Sequence, residues 1–308
     1  MLDMKKKLLF VFNPLSGRAQ IKNKLLQIIE IFTKAGYEVT TRQTQCKLDG
    51  YNIIKSDAGD YDLIVCCGGD GTLDEAVKAI MERDEKPLLG YIPAGTTNDF
   101  GYTLGIPSNM EDTARSIVTG VPFACDIGNF NGQYYSYVAA FGAFVDVSYQ
   151  TPQPYKNALG HLAYILEGIK RLPTIKSYNI KVFHEDEVVE DEFLVGLITN
   201  TVSVGGYRKL DEMGVLLDDG LFEVTMIKKP RNAIEIQSII ASLLKQDFSS
   251  PYIYSFRTSK VILEGEEPIE WTLDGEDGGV HKKAEINVCS KAIKILIPDQ
   301  RVKSIAKK

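Results

Sequence analysis

In the first third of the chain, short apolar runs alternate with stretches of helical spacing. Leu8 to Phe12 is apolar throughout, as a strand buried on both faces should be. Asn13-Pro14-Leu15-Ser16-Gly17 then breaks it with turn residues. Ile21, Leu25, Ile28, Ile29 and Phe32 predict a helix from Ile21 to Ala35, with Gly36 placed to end it. Glu38 to Thr44 is β-branched and alternating and predicts a second strand. Ile53, Ile54 and Ala58 predict a short helix, and Leu63 to Cys67 a third strand. Leu73 to Met81 returns to helical spacing, and Leu88 to Ile92 predicts a fourth strand. Around Asp112 to Val118 one more helix is expected, capped by Ser108 and Glu111. This β-α-β-α order predicts a layered α/β domain with a mostly parallel sheet.

The pattern changes after about Asp126. Phe123 to Phe130 and Tyr134 to Ala140 flank Asn131-Gly132, a strong signal for a tight hairpin. Short alternating stretches follow at Tyr178–His184, Val188–Asn200, Leu221–Ile227, Lys260–Glu264, Ile269–Leu273 and Ala284–Val288. They predict an antiparallel sandwich. Helical patterns interrupt them near Ala158–Lys170 and Ala233–Leu244.

Three polar loops follow strands on the first domain's sheet. Ligands of such sheets gather at the carboxyl ends of strands. The most informative loop is Gly68-Gly69-Asp70-Gly71-Thr72, between a buried strand and a helix start. Its glycines let the backbone approach a bulky anion, and the free amides and dipole of the helix favour phosphate. Thr72 and Glu75 have the spacing of a capping box. A carboxylate such as Asp70 faces phosphate only with a metal or a transferable proton between them, which points to phosphoryl transfer with Mg²⁺. A tight turn with a capping aspartate reads the same way from this loop alone. The second loop is Asn13 to Gly17. The third is Pro93-Ala94-Gly95-Thr96-Thr97-Asn98-Asp99-Phe100, where Thr96 and Thr97 can donate to phosphate or ribose, and Asn98 and Asp99 are also ordinary turn formers.

Composition narrows the class. The 308 residues, 44% hydrophobic and 25% charged, suit a globular protein of two domains, or of one large domain. A net charge of −6 argues against a general nucleic-acid binder. Five scattered cysteines lack metal-ligand spacing and fit a reducing cytoplasm, with Cys66 and Cys67 as small core residues. The apolar run after Lys5-Lys6-Lys7 is too short for a signal peptide, and no run spans a membrane. His161, His184 and His281 show no ligand pattern, and Trp271 reads as core.

Asn13-Pro14 with Gly17, Gly68-Gly69-Asp70-Gly71-Thr72, and Pro93 to Phe100 together resemble the catalytic domain of the diacylglycerol kinase family, in its soluble bacterial branch. The Gly-Gly-Asp-Gly-Thr loop is also similar to NAD kinases and phosphofructokinases. The Pro-x-Gly-Thr-x-Asn-Asp-Phe motif separates the lipid kinases. The family often continues with Ala-Arg, where this chain has Gly101-Tyr102.

The resemblance covers nearly the whole chain. It implies an N-terminal three-layer α/β nucleotide-binding domain, like that of NAD kinase and phosphofructokinase, over residues 1–127. A C-terminal β-sandwich domain would take 128–289, and a return segment, 290–308, would rejoin the first domain through a strand at Ala292–Ile297. It implies nucleotide contacts from Asn13, Gly17, Thr44, Gly68, Gly69, Asp70, Gly71, Thr72, Leu73, Asp74, Glu75, Thr96 and Asn98. Leu216-Leu217-Asp218-Asp219-Gly220-Leu221 would be a Mg²⁺ turn, with Leu216, Asp219 and Leu221 as ligands and Asp218 in support; an exposed Asp-Asp-Gly turn has the same sequence. In Leu273-Asp274-Gly275-Glu276-Asp277, Glu276 would be the catalytic base, with Asp70 on the metal–phosphate side, although the residues leave the choice of base between the two open.

The expected activity is transfer of the γ-phosphoryl group of ATP to diacylglycerol or a related lipid, giving phosphatidic acid. An NAD kinase and a non-catalytic nucleotide-binding protein are the alternatives. A cytoplasmic protein would meet its lipid by peripheral membrane contact. Two basic stretches are candidates: Lys156, Lys170 and Arg171 around the Ala158–Lys170 helix, and Lys228, Lys229 and Arg231. Arg18 could favour an anionic ligand, and the family also suggests a homodimer.

Overall fold

The computed structural model describes residues 6–142, 176–201, 216–245 and 249–299. The chain forms two compact units. The first takes the chain up to Ile127, together with Thr201–Asp219 and the chain from Cys289 onward. The second takes Gly128–Asn200 and Gly220–Val288. Residues 216–219, expected in the second domain, thus fall in the first.

The first unit begins β1 (Lys6–Phe12), α1 (Ile21–Lys34), β2 (Tyr37–Gln43), α2 (Asp49–Asp57), β3 (Leu63–Gly68), α3 (Asp70–Met81) and β4 (Leu88–Pro93). A short helix α4 (Asp99–Thr103), which was not expected, and α5 (Met110–Thr119) follow. The strands pair in parallel in the order β2-β1-β3-β4. Both faces of β1 and β3 are buried. Leu8, Phe10, Leu63 and Val65 pack with Ile21, Ile28 and Phe32 of α1 and Ala114 and Ile117 of α5. The intervening Leu9, Val11, Ile64 and Cys66 are just as inaccessible. Helices therefore cover both faces, which is why these strands read as continuous apolar runs. Burial pushes the Cys66 thiol up and takes that of Cys67 to about 12, so both are small core residues.

Two predicted caps differ. Asn109, not Ser108, starts α5, and its side chain accepts from the amides of Glu111 and Asp112 at 2.9 and 3.1 Å. At α3 the first residue is Asp70, with no side-chain cap. The Glu75 carboxylate reaches away to α2 instead.

The rest of the chain supplies β5 (Val121–Phe130), β6 (Gln133–Tyr135), β7 (Val138–Gly142), β8 (Tyr178–His184), β9 (Glu187–Thr199), β10 (Phe222–Lys228), α6 (Ala233–Lys245), β11 (Ile253–Thr258), β12 (Lys260–Leu273) and β13 (Glu276–Ile297). In the second unit the order is β11-β10-β9-β7-β12-β13, with β8 pairing both β9 and β12. These pairs are antiparallel. Asn131 and Gly132, at φ 49° and 89°, make the expected hairpin turn between β5 and β6. Lys260–Glu264 and Ile269–Leu273 are one strand with an irregular register between them. Ala284–Val288 and Ala292–Ile297 likewise belong to one strand, β13, whose Ile295 pairs in parallel with Leu89 of β4 in the first unit's sheet. Trp271 is core, with Phe130 and Phe141 at 4.9 and 5.0 Å between ring centroids.

His184 stacks on Phe256, and its Nε2 lies 2.6 Å from the Tyr254 hydroxyl. His281 contacts Asn131 and the Gly278 carbonyl. Both are packing residues. Lys228 pairs with Asp191 and Lys229 with Glu192, each at 2.8 Å, so two of the three cations of the second basic stretch have acidic partners. The Ala158–Lys170 helix with its lysines, and His161, lie outside the described residues.

Candidate active site

Four loops leave the carboxyl edge of the parallel sheet, and three are anchored by a further ladder bond. Asn13 N donates to Cys67 O at 2.9 Å, Thr44 N to Phe12 O at 2.9 Å, and Ala94 N to Gly68 O at 2.7 Å. Between the loops after β1, β2 and β3 lies a cavity of about 420 Å³. Asn13, Leu15 and Ser16 line it from the first loop and Thr44 to Lys47 from the second. Gly69, Gly71, Thr72 and Glu75 line it from the third loop and α3. The start of α3 brings the amides of a helix N-terminus to this wall, the arrangement that favours an anion.

Glycine is needed here for close approach. A Cβ at Gly95 would lie 2.6 Å from the Gly69 Cα and 2.8 Å from Asn98 Oδ1, so the loops after β3 and β4 pack backbone to backbone. Gly17, at φ 55°, would drive a Cβ into the Ala94 carbonyl.

The expected nucleotide residues divide into groups. Asn13, Thr44, Gly69, Gly71, Thr72 and Glu75 line the cavity, while Asp70 is half-buried at the first position of α3. Others support the wall. Gly68 is buried against the Thr72 side chain and Leu73 is core. Asp74 is buried and paired with Lys78 at 2.7 Å. Leu73 and Asp74 are thus placed as packing residues, not as part of the lining.

Thr96 is exposed and outside the lining. Asn98, at φ 54°, accepts from Gly95 N and donates to Gly95 O, both at 2.9 Å, and so holds the loop after β4 in shape. The Tyr91 hydroxyl lies 3.2 Å from both Gly68 O and Asn98 Oδ1, joining the two loops.

Sequence reasoning missed Leu15, Ser16, Gln45, Cys46 and Lys47 as lining residues. The rule that ligands collect beyond the carboxyl ends of parallel strands would have found the last three, since they follow β2. Glu75 shapes that segment. Its Oε1 accepts from Leu48 N at 2.8 Å and its Oε2 from Gly50 N at 3.0 Å. The capping carboxylate of α2 therefore comes from α3, not from α2's own sequence.

The Asp-Asp-Gly turn adjoins a further acid that the sequence did not single out. Asp126 is fully buried in β5. Its amide donates to Leu217 O at 2.7 Å, and its Oδ1 accepts from Lys291 N at 2.6 Å. Burial pushes the Asp218 carboxyl up; Lys291 opposes this, while the charges of Asp126 and Asp219 add to it. Among the described residues, no three His, Cys, Asp or Glu side chains form a ready metal cage. The donors do fit a hard cation that takes one or two carboxylates, main-chain oxygens and water.

Glu276 opens β13, paired with Leu273 across a two-residue turn of Asp274 and Gly275 at φ 53° and 84°. It is half-buried. Asp274 is not a solvated turn residue. It is 7% exposed, and its carboxylate takes the amides of Ser136, Tyr137 and Val138.

A parallel sheet whose edge loops flank a cavity large enough for a nucleotide, with Gly-Gly-Asp-Gly-Thr at a helix start, has the arrangement of α/β proteins that bind phosphate-bearing ligands. A family model of the diacylglycerol kinase catalytic domain matches residues 7–130. The diacylglycerol kinase of Bacillus subtilis (strain 168) is 34% identical over 297 residues, 96% of this chain and 97% of its own. The chain belongs to the diacylglycerol kinase family and is an enzyme of the lipid kinase class. The diacylglycerol kinase of Staphylococcus saprophyticus is 32% identical over 278 residues, 90% of each chain. A crystal structure from Bacillus anthracis str. Sterne, described as a candidate diacylglycerol kinase, is similar with a TM-score of 0.81, at 25% identity over 96% of both chains. No described helix is long and apolar enough to cross a membrane.

Proposed function

We propose that this protein transfers the γ-phosphoryl group of ATP to the hydroxyl of diacylglycerol or a related lipid, giving phosphatidic acid or its analogue. The observation that carries the reading is the cavity at the carboxyl edge of the parallel sheet, walled by Asn13, Thr44, Gly69, Gly71 and Thr72. There the amides at the start of α3 would receive phosphate oxygens. Asn13, Ser16 and Thr72 would orient the triphosphate, and Asp70 is assigned to its metal-facing side.

Glu276 is assigned as the base that takes the proton of the lipid hydroxyl as its oxygen attacks phosphorus. Such groups are worth about 10²–10⁴-fold in rate. Asp219 and the main-chain oxygens of Leu216 and Leu221 would hold Mg²⁺, with Asp218 and the buried Asp126 in support. When bound, that ion would supply positive charge to offset the negative charge of the carboxylates and of phosphate. The antiparallel second unit is read as a β-sandwich, and the lipid is met by peripheral contact with a membrane from the cytoplasm.

The test is transfer of labelled γ-phosphate from ATP with Mg²⁺, offering diacylglycerol in mixed micelles and NAD in parallel. Organic-soluble label that is lost in Asp70→Asn, with the variant still folded, supports the proposal. Label in NADP replaces it with the NAD kinase reading. ATP binding without transfer to any acceptor leaves a nucleotide-binding protein.

A further inference from the structure

The second unit holds a buried carboxylate that the proposed chemistry does not use. Asp274 sits at the first position of the β12–β13 hairpin turn, immediately before Gly275 and Glu276. Its Oδ1 accepts from Tyr137 N at 3.0 Å and Val138 N at 2.9 Å, and its Oδ2 accepts from Ser136 N. Its own amide donates to Val138 O at 2.8 Å.

Three consecutive backbone amides converging on one carboxylate make an anion nest, here filled from within the chain. The nest also explains an irregularity of the fold. The strand expected over Tyr134–Ala140 is broken, β6 ending at Tyr135 and β7 starting at Val138. The amides at the break turn onto Asp274 rather than onto a neighbouring strand.

The consequence falls on Glu276. A two-residue hairpin fixes the pairing of Leu273 with Glu276, but a turn at the tip of two strands is free to rock. Here β12 already pairs with β7 through Trp271, Thr272 and Leu273. Asp274 extends that attachment past the end of the ladder and ties the turn itself to Ser136–Val138.

We infer that Asp274 is a positioning residue, whose carboxylate clamps the hairpin turn to the β6–β7 break and thereby sets the place of the Glu276 carboxylate. The inference rests on the assignment of Glu276 as the base. A carboxylate displaced by about 1 Å from its acceptor costs about 10²-fold in rate, while nucleotide binding is served by other residues.

Asp274→Asn is the informative variant. Asn tolerates positive φ, and Asn-Gly is itself a favoured turn, so the hairpin is retained. The amide offers one acceptor oxygen where the carboxylate offered two, and it places an NH₂ against a backbone N–H. The experiment measures steady-state kinetics of labelled phosphate transfer to diacylglycerol for the full-length protein, Asp274→Asn, Glu276→Gln and the double variant. The expected result is a fall in kcat of about 10²-fold for Asp274→Asn, with KM for ATP unchanged. The double variant should be no slower than Glu276→Gln alone, because the clamp acts only through that residue.

Multiplying losses in the double variant, a kcat within threefold of the parent, or a change confined to KM overturns the clamp and leaves Glu276 as the base. A Glu276→Gln enzyme with full kcat overturns the base assignment and the clamp with it. If Asp274→Asn does not melt cooperatively, Asp274→Gly takes its place. Glycine accepts the φ of 53° without strain and removes the carboxylate, leaving the amides of Ser136 to Val138 to water. The same split between kcat and KM is then expected, and its absence overturns the inference.

Discussion

Glu75 caps a helix that is not its own, and its removal has a calculable cost. In Glu75→Ala the amides of Leu48 and Gly50 lose acceptors at 2.8 and 3.0 Å. Hydrogen bonds to a charged group are worth about 1.5–3 kcal/mol each, and a helix cap about 1. Leu48 is exposed, so water replaces much of its bond, whereas Gly50 is buried and loses most of its own. The sum is a loss of about 2 kcal/mol for the first turn of α2. Glu75→Gln, which retains one acceptor, should lose about half as much. The two differ because Leu48 N and Gly50 N each have their own carboxylate oxygen, and Gln replaces one of these with an NH₂ donor.

The probe has to be chosen with the fold in mind. The only tryptophan, Trp271, belongs to the second unit, so its fluorescence reports on the wrong part of the chain. Amide hydrogen exchange reads α2 directly. A change of about 2 kcal/mol corresponds to an increase of about thirtyfold in exchange at Gly50. KM for ATP should rise in the same variants, because Gln45, Cys46 and Lys47 line the cavity immediately before the capped helix. Gly50→Ala should act in the same direction, since its Cβ would sit 2.7 Å from Glu75 Oε2. Exchange at Gly50 unchanged within threefold in Glu75→Ala would refute the trans cap.

Asn98→Ala should raise KM for ATP and lower stability by about 2 kcal/mol, from the lost bridge to Gly95 and from alanine at φ 54°. Asn98→Gly, which has no steric penalty there, should be milder by about 1 kcal/mol; thermal melts of the pair decide it. Addition of Mg²⁺ should raise the melting temperature of the parent protein but not that of Asp219→Ala, and an equal rise in both would mean that this turn holds no ion. The Glu192 carboxyl is held below its usual range by hydrogen bonds from Lys229 and Ser177. Its contribution is therefore complete above the ordinary carboxylate range and is lost as pH falls through the lowered value. Glu192→Gln should cost no more than about 1 kcal/mol at neutral pH, because the pair is half-exposed, and nothing in strong acid. A urea series across pH measures both limits.

The parallel half of the fold was legible because its strands are buried on both faces. Leu8–Phe12 and Leu63–Cys67 carry apolar residues at every position, and Ile21–Phe32 has one periodicity only. The loops were legible as turns at the carboxyl edge of the sheet because their glycines follow strands directly. What the sequence concealed was partnership. The Ser-x-x-Glu at Ser108 and the Thr-x-x-Glu at Thr72 both have capping spacing, yet Asn109 accepts in the first case and Glu75 reaches another helix in the second. Long strands with internal irregularities, such as β12 and β13, read as separate pieces because Gly265 to Pro268 and Lys291 interrupt the alternation. Asp126 went unnoticed because a single acid in an apolar strand has no pattern; its meaning comes from Leu217 and Lys291, which are remote in sequence.

Several motif side chains turn out to bind the protein's own backbone. Asn98 closes on Gly95, Glu75 on Leu48 and Gly50, and Asp274 on Ser136 to Val138. Each lies within one to three residues of a group assigned to nucleotide or lipid chemistry. A triphosphate is recognised largely by amides, and amides are placed by loop shape rather than by side-chain identity. Polar residues that fix loop shape are then as constrained as residues that touch the ligand, since a shift of about 1 Å in either has the same kinetic cost. A motif in this fold is therefore a specification of backbone geometry first. Substitutions at Asn98, Glu75 and Asp274 should alter KM or kcat through displaced neighbours, even where the substituted side chain meets no substrate.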